Sequence, residues 1–317
     1  MKKLAVAIAV ILTIVTVLSG CSASSGEAIA FGSFYNISVT GISAGKVIKE
    51  AKKLITEIEN QCSTHVETSD VAKINSAEAN APIHVGIHTA SLFKLSKELF
   101  LETDGAFNAA IFPLVELWNF SPASFFPEQK SIPSEEDIGV VLPYCSMNLF
   151  SFDENSLTIT KSHKEAKLDF GGIAKGYAAD KVSELLKQKD FIINIGGTIV
   201  CGKEKTIGIT NPRDVNSLIG TVKLENASIS TSGDYERYYV LGGKRYHHIL
   251  DILTGAPSVG FYSVSVIGGS AAVCDAYSTA VMVKGKDLAT RLTEKGFGFV
   301  TVGSEGIDTI GEVSFSR

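Results

Sequence analysis

The chain has 317 residues, of which 45% are hydrophobic and 20% charged, with a formal net charge of -5. That is enough apolar material for a substantial core, and an acidic balance without any basic block argues against a nucleic-acid surface. The five cysteines are scattered with no CxxC pair, which speaks against a disulfide-dense scaffold or a zinc site.

Lys2 and Lys3 precede an almost wholly apolar run, Leu4 to Leu18, that ends in Leu18-Ser19-Gly20-Cys21. A basic start, an apolar stretch and small residues before a cysteine predict a lipoprotein signal peptide over residues 1–20. Cys21 then becomes a lipidated N-terminus, anchoring the chain to a membrane outside the cytoplasm. The run falls slightly short of the roughly 20 apolar residues that a spanning helix needs. Residues 21–28, the lipid-bearing cysteine and the small polar string SASSGEA, read as a flexible tether. One folded unit is expected over 29–317. Cys62, Cys145, Cys201 and Cys274 read as small buried apolar residues, with a pairing of Cys62 left open.

Weak alternation predicts a strand over Phe31–Val39. Val47, Ile48, Ala51, Leu54, Ile55 and Ile58 recur at helical spacing and predict a helix over Ala44–Ile58. A second helix is expected over His88–Thr103. An aromatic-rich stretch, Val115–Phe126, is followed by a polar connector, Pro127–Asp137, and Ser151–Thr160 reads as a hairpin. A strand at Lys167–Phe170 is expected to run into Gly171-Gly172 and a helix to about Gln188, and a strand at Phe191–Ile195 into Gly196-Gly197. Strands follow near Thr206–Thr210, Thr221–Leu224 and Ala227–Ser230. Then come a hairpin over Tyr238–Leu250 turning at Gly242-Gly243, a strand at Tyr262–Ile267, a helix over Ser270–Val283 and a strand at Phe299–Val302. Strands and helices mix without strict alternation, which predicts an α+β fold of mixed sheets with packed helices.

Asp275 and Thr279, four apart on a predicted helix, share one face. A carboxylate and a hydroxyl aimed at one point are hard oxygen ligands of the kind Mg²⁺ takes together with substrate phosphate. The same pair also describes a surface Asp beside a Thr bonded to its own helix. In Leu168-Asp169-Phe170-Gly171-Gly172-Ile173-Ala174-Lys175, a Gly-Gly turn feeds a helix start, where backbone N–H groups attract phosphate and Lys175 adds charge. A plain structural turn is the alternative. Asn194-Ile195-Gly196-Gly197 repeats the device. His247 and His248 stand close before Asp251. His248 is a candidate proton carrier, although on a strand it would face away from Asp251. No Gly-x-Ser-x-Gly elbow and no His-Glu-x-x-His is present.

Seven strings taken in order are far more specific than any one of them: SDVAKIN (69–75), DGAFNAAIFPLVELWNF (104–120), LDFGGIAKGYAAD (168–180), NIGG (194–197), STSGDYER (230–237), RYHHILDILTG (245–255) and DAYSTA (275–280). Together they resemble the FAD:protein FMN transferase family, also called ApbE. The resemblance implies an α+β fold with FAD in a cleft between two lobes, the second comprising most of the chain after about residue 160. It implies that Asp275, Thr279 and the backbone carbonyl of Ala174 ligate Mg²⁺ over the pyrophosphate. A Ser or Thr hydroxyl on an exported or membrane acceptor protein would attack, AMP would leave, and His248 or Asp251 would take the proton. Gly105, Ala106, Phe107, Asn108 and Asp180 would contact the flavin and ribityl parts, with Lys175 at the phosphates. Gly196 and Gly197 would let FAD lie close. Two positions depart from the family: Asn108 stands where Asp is usual, and His65 where an aromatic is usual. Two other readings share these residues: a Mg²⁺-dependent hydrolase giving FMN and AMP, and a flavin-binding lipoprotein without turnover.

Overall fold

In the computed structural model of the chain, residues 23–41, 43–121, 131–187 and 189–317 are described. The expected signal peptide and Cys21 lie outside them. Eight strands form one sheet in the order Ala23–Ala30, Ser33–Thr40, Asp190–Ile195, Thr198–Cys201, Ala227–Gly233, Phe261–Gly268, Gly298–Gly303 and Gly306–Ile310. Every neighbouring pair in it is antiparallel, so the fold is α+β but its central sheet is antiparallel rather than mixed.

The expected tether is the first correction. Ala23–Ala30 is the outer strand of this sheet, paired from Ala23↔Thr40 to Ala30↔Ser33. The small polar residues that suggested flexibility suit an edge strand with few side chains to bury, and Ala30 reaches the core. The strand expected at Lys167–Phe170 is the second. That segment pairs with no strand; instead the Asn75 side chain takes its backbone, accepting from Leu168 N at 2.7 Å and donating to Leu168 O at 2.8 Å. An amide side chain can replace a neighbouring strand because it carries the same donor and acceptor.

Helices cover one face of the sheet. Ala44–Cys62 buries Ile48, Ala51, Ile55, Ile58 and Cys62, the three- and four-residue spacing of one apolar stripe. The two central helices, Ala174–Leu185 and Ala271–Lys284, press on each other at Gly176, where a methyl group would overlap the Ala271 backbone. The other face of the sheet carries a second core, in which Ile229 and Val300 meet Ile207, Ile209, Val222 and Leu224 of a three-stranded sheet. A third core surrounds Trp118. Trp118 stacks on Tyr246 and Phe120 on Tyr239, so residues on both sides of position 160 share it and the chain does not divide into lobes there. Residues expected in the connector include a short helix, Glu135–Val141, capped by Ser134; residues 122–130 lie outside the described ones.

Candidate functional site

The site forms where the two central helices meet the strand Ala227–Gly233. Asp275 lies on the helix Ala271–Lys284 and is 4% exposed. Its Oδ1 accepts from Ser230 Oγ at 3.0 Å and its Oδ2 from the backbone N of Gly176 at 3.2 Å. Lys175 Nζ stands 3.6 Å from Oδ2 and donates to Gly171 O at 2.9 Å. Buried carboxylate oxygens need such donors to satisfy them. Thr279, one turn on, has its hydroxyl 3.2 Å from Ser232 Oγ.

Several distant strings converge here. A β-carbon on Gly172 would lie 3.4 Å from the Phe107 ring and 3.6 Å from Thr279 Oγ1. One on Gly196 would lie 3.0 Å from Lys175 Cδ. Gly196 and Gly197 take φ of 55° and 90°, a left-handed turn that glycine adopts without strain. It brings the sheet backbone up to Lys175. Ala174 opens the helix beside these groups and is buried.

Across from this wall are the arms that follow the strand Ala227–Gly233. Both the backbone N of His248 and its Nδ1 reach Arg237 O, at 3.1 and 3.3 Å. A carbonyl only accepts, so Nδ1 carries the hydrogen and Nε2 keeps the lone pair. Burial holds the imidazole pKa well below its usual value, and the positive charges of Arg237, His247 and Lys175 push the same way, while the Arg237 carbonyl opposes them. The ring is therefore neutral, as a proton acceptor must be. Glu236, which sequence reasoning did not single out, is exposed; neighbouring protein and Asp275 raise its carboxyl pKa, while Lys175 and Arg237 pull it down. His65 also belongs to this surface: burial lowers its pKa, Asp169 raises it and Arg237 lowers it. Lys175 is thus the charge common to both sides.

Other expected site residues have different work. Asp180 caps the helix Ala271–Lys284: its carboxylate accepts from Ser270 Oγ and Ala271 N at 2.8 Å and from Ala272 N at 3.0 Å. These bonds tie the helix Ala174–Leu185 to the start of Ala271–Lys284, a structural role for the carboxylate. Asn108 is buried, donating from Nδ2 to Cys145 O and accepting at Oδ1 from Ala110 N, each at 2.9 Å. Its amide is occupied inside the fold, where an Asp would lack the donor. Gly105, with φ of 80°, sits against Phe100 and Ile252; Ala106 is half-buried beside the core. Asp251 is not the partner of His248. It accepts from Leu253 N at 2.8 Å within its own turn. Cys62, Cys145, Cys201 and Cys274 are free and buried, and burial pushes the Cys62 thiol up to about 12.

A divalent cation fits the wall. Among the described residues no three His, Cys, Asp or Glu form a metal cluster, so a protein cage is absent there. One carboxylate, one hydroxyl and a carbonyl at a helix start are the sparse oxygen set that suits Mg²⁺ sharing its sphere with substrate phosphate. Besides Glu236, the residues to which sequence reasoning gave no role are Ser230, Ser232 and Thr198. The signal for the first two was the Ser-x-Ser spacing at the end of the strand expected over Ala227–Ser230, which the structure extends to Gly233 so that both fall on one face.

The profile of the ApbE family matches residues 31–300. An FAD:protein FMN transferase of Klebsiella pneumoniae (strain 342) is 35% identical over 209 residues, which make up 65% of this chain and 65% of that protein. One from Escherichia coli (strain K12) is 28% identical over 311 residues, covering 93% of this chain and 86% of its own length. The crystal structure of the ApbE protein of Thermotoga maritima superposes with a TM-score of 0.83 at 30% identity, covering 91% of this chain and 97% of that one.

Proposed function

Because the chain belongs to the ApbE family and is an FAD:protein FMN transferase, we propose that it works with Mg²⁺, as a lipid-anchored protein outside the cytoplasm. Asp275, Thr279 and the Ala174 carbonyl would hold the metal, which when bound offsets charge on the pyrophosphate. The observation that carries this reading is the buried Asp275 carboxylate, braced by Gly176 N and Ser230 and faced by Lys175, one turn from the Thr279 hydroxyl.

The residues then divide the chemistry. Gly171, Gly172, Gly196 and Gly197 admit the substrate's backbone close to protein backbone, with Lys175 beside the phosphates. Phe107 and His65 line the flavin side. A Ser or Thr hydroxyl of an exported or membrane acceptor protein attacks the FMN phosphorus. The bond from that phosphorus to the bridging oxygen breaks, AMP leaves with the bonding pair, and a phosphoester joins FMN to the acceptor. The hydroxyl proton passes to Nε2 of His248, which Arg237 O holds in the accepting tautomer. Cys21 would carry the lipid. With Ala23 already in the sheet, only Ser22 separates that anchor from the folded unit, so the enzyme would work close to the membrane surface, where membrane acceptors are found. Among the described residues no helix is long and apolar enough to cross a membrane.

The test is to incubate the chain from Ser22 onward with FAD, Mg²⁺ and an acceptor domain carrying one flavinylation Thr, following AMP release and in-gel flavin fluorescence. Fluorescent acceptor that needs the metal supports the reading; equal labelling in chelator refutes the Mg²⁺ part. For the anchor, Cys21→Ser should move the full-length protein from the membrane to the soluble fraction.

A further inference from the structure

Side chains alternate along a strand, so Ser230 and Ser232 share a face at roughly 6–7 Å separation. Asp275 and Thr279 are one helical turn apart, about 6 Å along the axis. The two spacings match, and the structure uses the match. Ser230 Oγ donates to Asp275 Oδ1 at 3.0 Å, and Ser232 Oγ lies 3.2 Å from Thr279 Oγ1 and 2.7 Å from Ser278 Oγ. Behind Ser230 stands Thr198, with its hydroxyl 2.8 Å away and fully buried.

Each hydroxyl has a single proton to give, and that constraint orders the network. Ser230 gives its proton to Asp275, so Thr198 must donate to Ser230. Ser278 gives its proton to Asp275 O at 2.8 Å, so Ser232 must donate to Ser278. Thr279 then has two acceptors for its proton, Ser232 Oγ at 3.2 Å and the Asp275 carbonyl of its own helix at 3.4 Å. With its proton held by these two, the Thr279 oxygen keeps lone pairs for the remaining side, the polarity a cation requires. Asp275 is likewise fixed: Ser230 on Oδ1 and Gly176 N on Oδ2 hold the carboxylate plane.

We propose that Ser230 and Ser232 are positioning residues for the metal ligands, Ser230 orienting the Asp275 carboxylate and Ser232 the Thr279 hydroxyl. The proposal rests on Asp275 and Thr279 being the Mg²⁺ ligands. Outer partners of this kind change metal affinity about 10–100-fold when removed. A merely structural pair of serines would alter folding and leave affinity alone.

The experiment is Mn²⁺ titration of the chain in the presence of saturating FAD and no acceptor, with free Mn²⁺ read by electron paramagnetic resonance. The variants are Ser230→Ala, Ser232→Ala, Ser232→Thr and Asp275→Asn, each checked for a cooperative thermal transition. Ser230→Ala and Ser232→Ala should each weaken Mn²⁺ by about 10–100-fold, and Ser232→Thr, which keeps the hydroxyl, should bind as the parent does. If both alanine variants bind Mn²⁺ like the parent while Asp275→Asn does not, the positioning role is refuted and the metal site stands. If Asp275→Asn also binds like the parent, the metal reading itself falls, and this proposal with it. Because Ser230 is buried and its loss strands Thr198, the part-buried Ser232 gives the answer should Ser230→Ala fail to fold.

Discussion

The two sides of the site are held in different ways. On the wall, Asp275 is buried on a helix that packs against another helix and the middle of the sheet, and both its oxygens have fixed donors. On the arm, His248 follows a hairpin of four-residue strands, Tyr238–Leu241 and Lys244–His247, and one backbone carbonyl orients its ring. Leu253 and Val259, farther along the arm, are 85% and 84% exposed. A pyrophosphate is small and invariant, so a preorganised wall costs nothing at the moment of reaction. A protein acceptor is large, and a shallowly packed arm leaves it room to approach. The wall should therefore be intolerant of any change, and the arm tolerant except at the one atom that takes the proton.

The largest effect should come from the wall. Asp275→Asn keeps the shape but removes the charge, and transfer should fall by roughly a thousandfold or more, on the order of several kcal/mol of barrier. Single-turnover AMP release at saturating FAD measures it. On the arm, His248→Ala should cost about a hundredfold in the rate of the same step, with FAD binding intact. The pH profile sharpens the point. The His248 pKa lies well below the usual 6.5 because of burial and its cationic neighbours. A base is active when deprotonated, so lowering its pKa extends activity toward acid. The acid limb of kcat/KM should fall below pH 6.5 in the parent and be absent in His248→Ala. An acid limb that persists unchanged in the variant would assign the proton to another group, with Glu236 first in line.

Much of the wall was legible in the sequence, because its parts are local patterns: a Gly-Gly turn before a helix, and Asp and Thr four apart on one helix. The Ser-x-Ser alternation was equally visible and lacked only its partner, since matching a strand to a helix 45 residues away needs the fold. Asp180 and Asn108 carry structural bonds that the sequence did not show. They sit inside the strings that mark the site, yet one caps a neighbouring helix and the other ties backbone in the core; nearness in sequence to site residues does not separate support from contact. The edge strand Ala23–Ala30 was missed because its small polar residues carry no periodicity, and its identity comes from its partner. The Lys167–Phe170 segment has strand-like residues, but Asn75 took the place of a neighbouring strand.

Lys161 lies beneath the loop that leads into the wall and should give a smaller effect, on stability. It is 1% exposed and donates to Asn75 O and Lys164 O at 2.8 Å and to Ala166 O at 3.1 Å. Lys161→Met leaves those carbonyls short of a donor and should destabilise the fold by about 2 kcal/mol. Burial, aided by Lys167, lowers the Lys161 pKa from 10.5 to about 8. The folded chain releases this proton first, so between those values the unfolded chain holds more protons and the group's contribution to stability rises with pH. Urea denaturation of parent and variant at about pH 7 and about pH 10 should show the gap between them widening at the higher pH. A gap that stays constant would mean the ammonium titrates alike in both states, and that the loop under the wall is open to water.

The smallest effect belongs to Asp251, and it tests the contrast most sharply because the chain order His248-Ile249-Leu250-Asp251 invites the opposite expectation. The carboxylate receives Leu253 N at 2.8 Å, while its contacts with Thr254 Oγ1, at 3.5 Å, are too long to count for much. Asn keeps the acceptor that Leu253 N needs, so Asp251→Asn should leave the turn standing and change the transfer rate by no more than about twofold. A loss as large as that of His248→Ala would place a second proton-handling group on the arm and show that it too is built to fixed geometry. A rate near the parent's leaves the orientation of His248 to the Phe120 ring edge and the Arg237 carbonyl, the latter a bond that no side-chain substitution at Arg237 deletes. The arm could then vary widely in sequence around a constant base, as accommodation of different acceptor proteins would require.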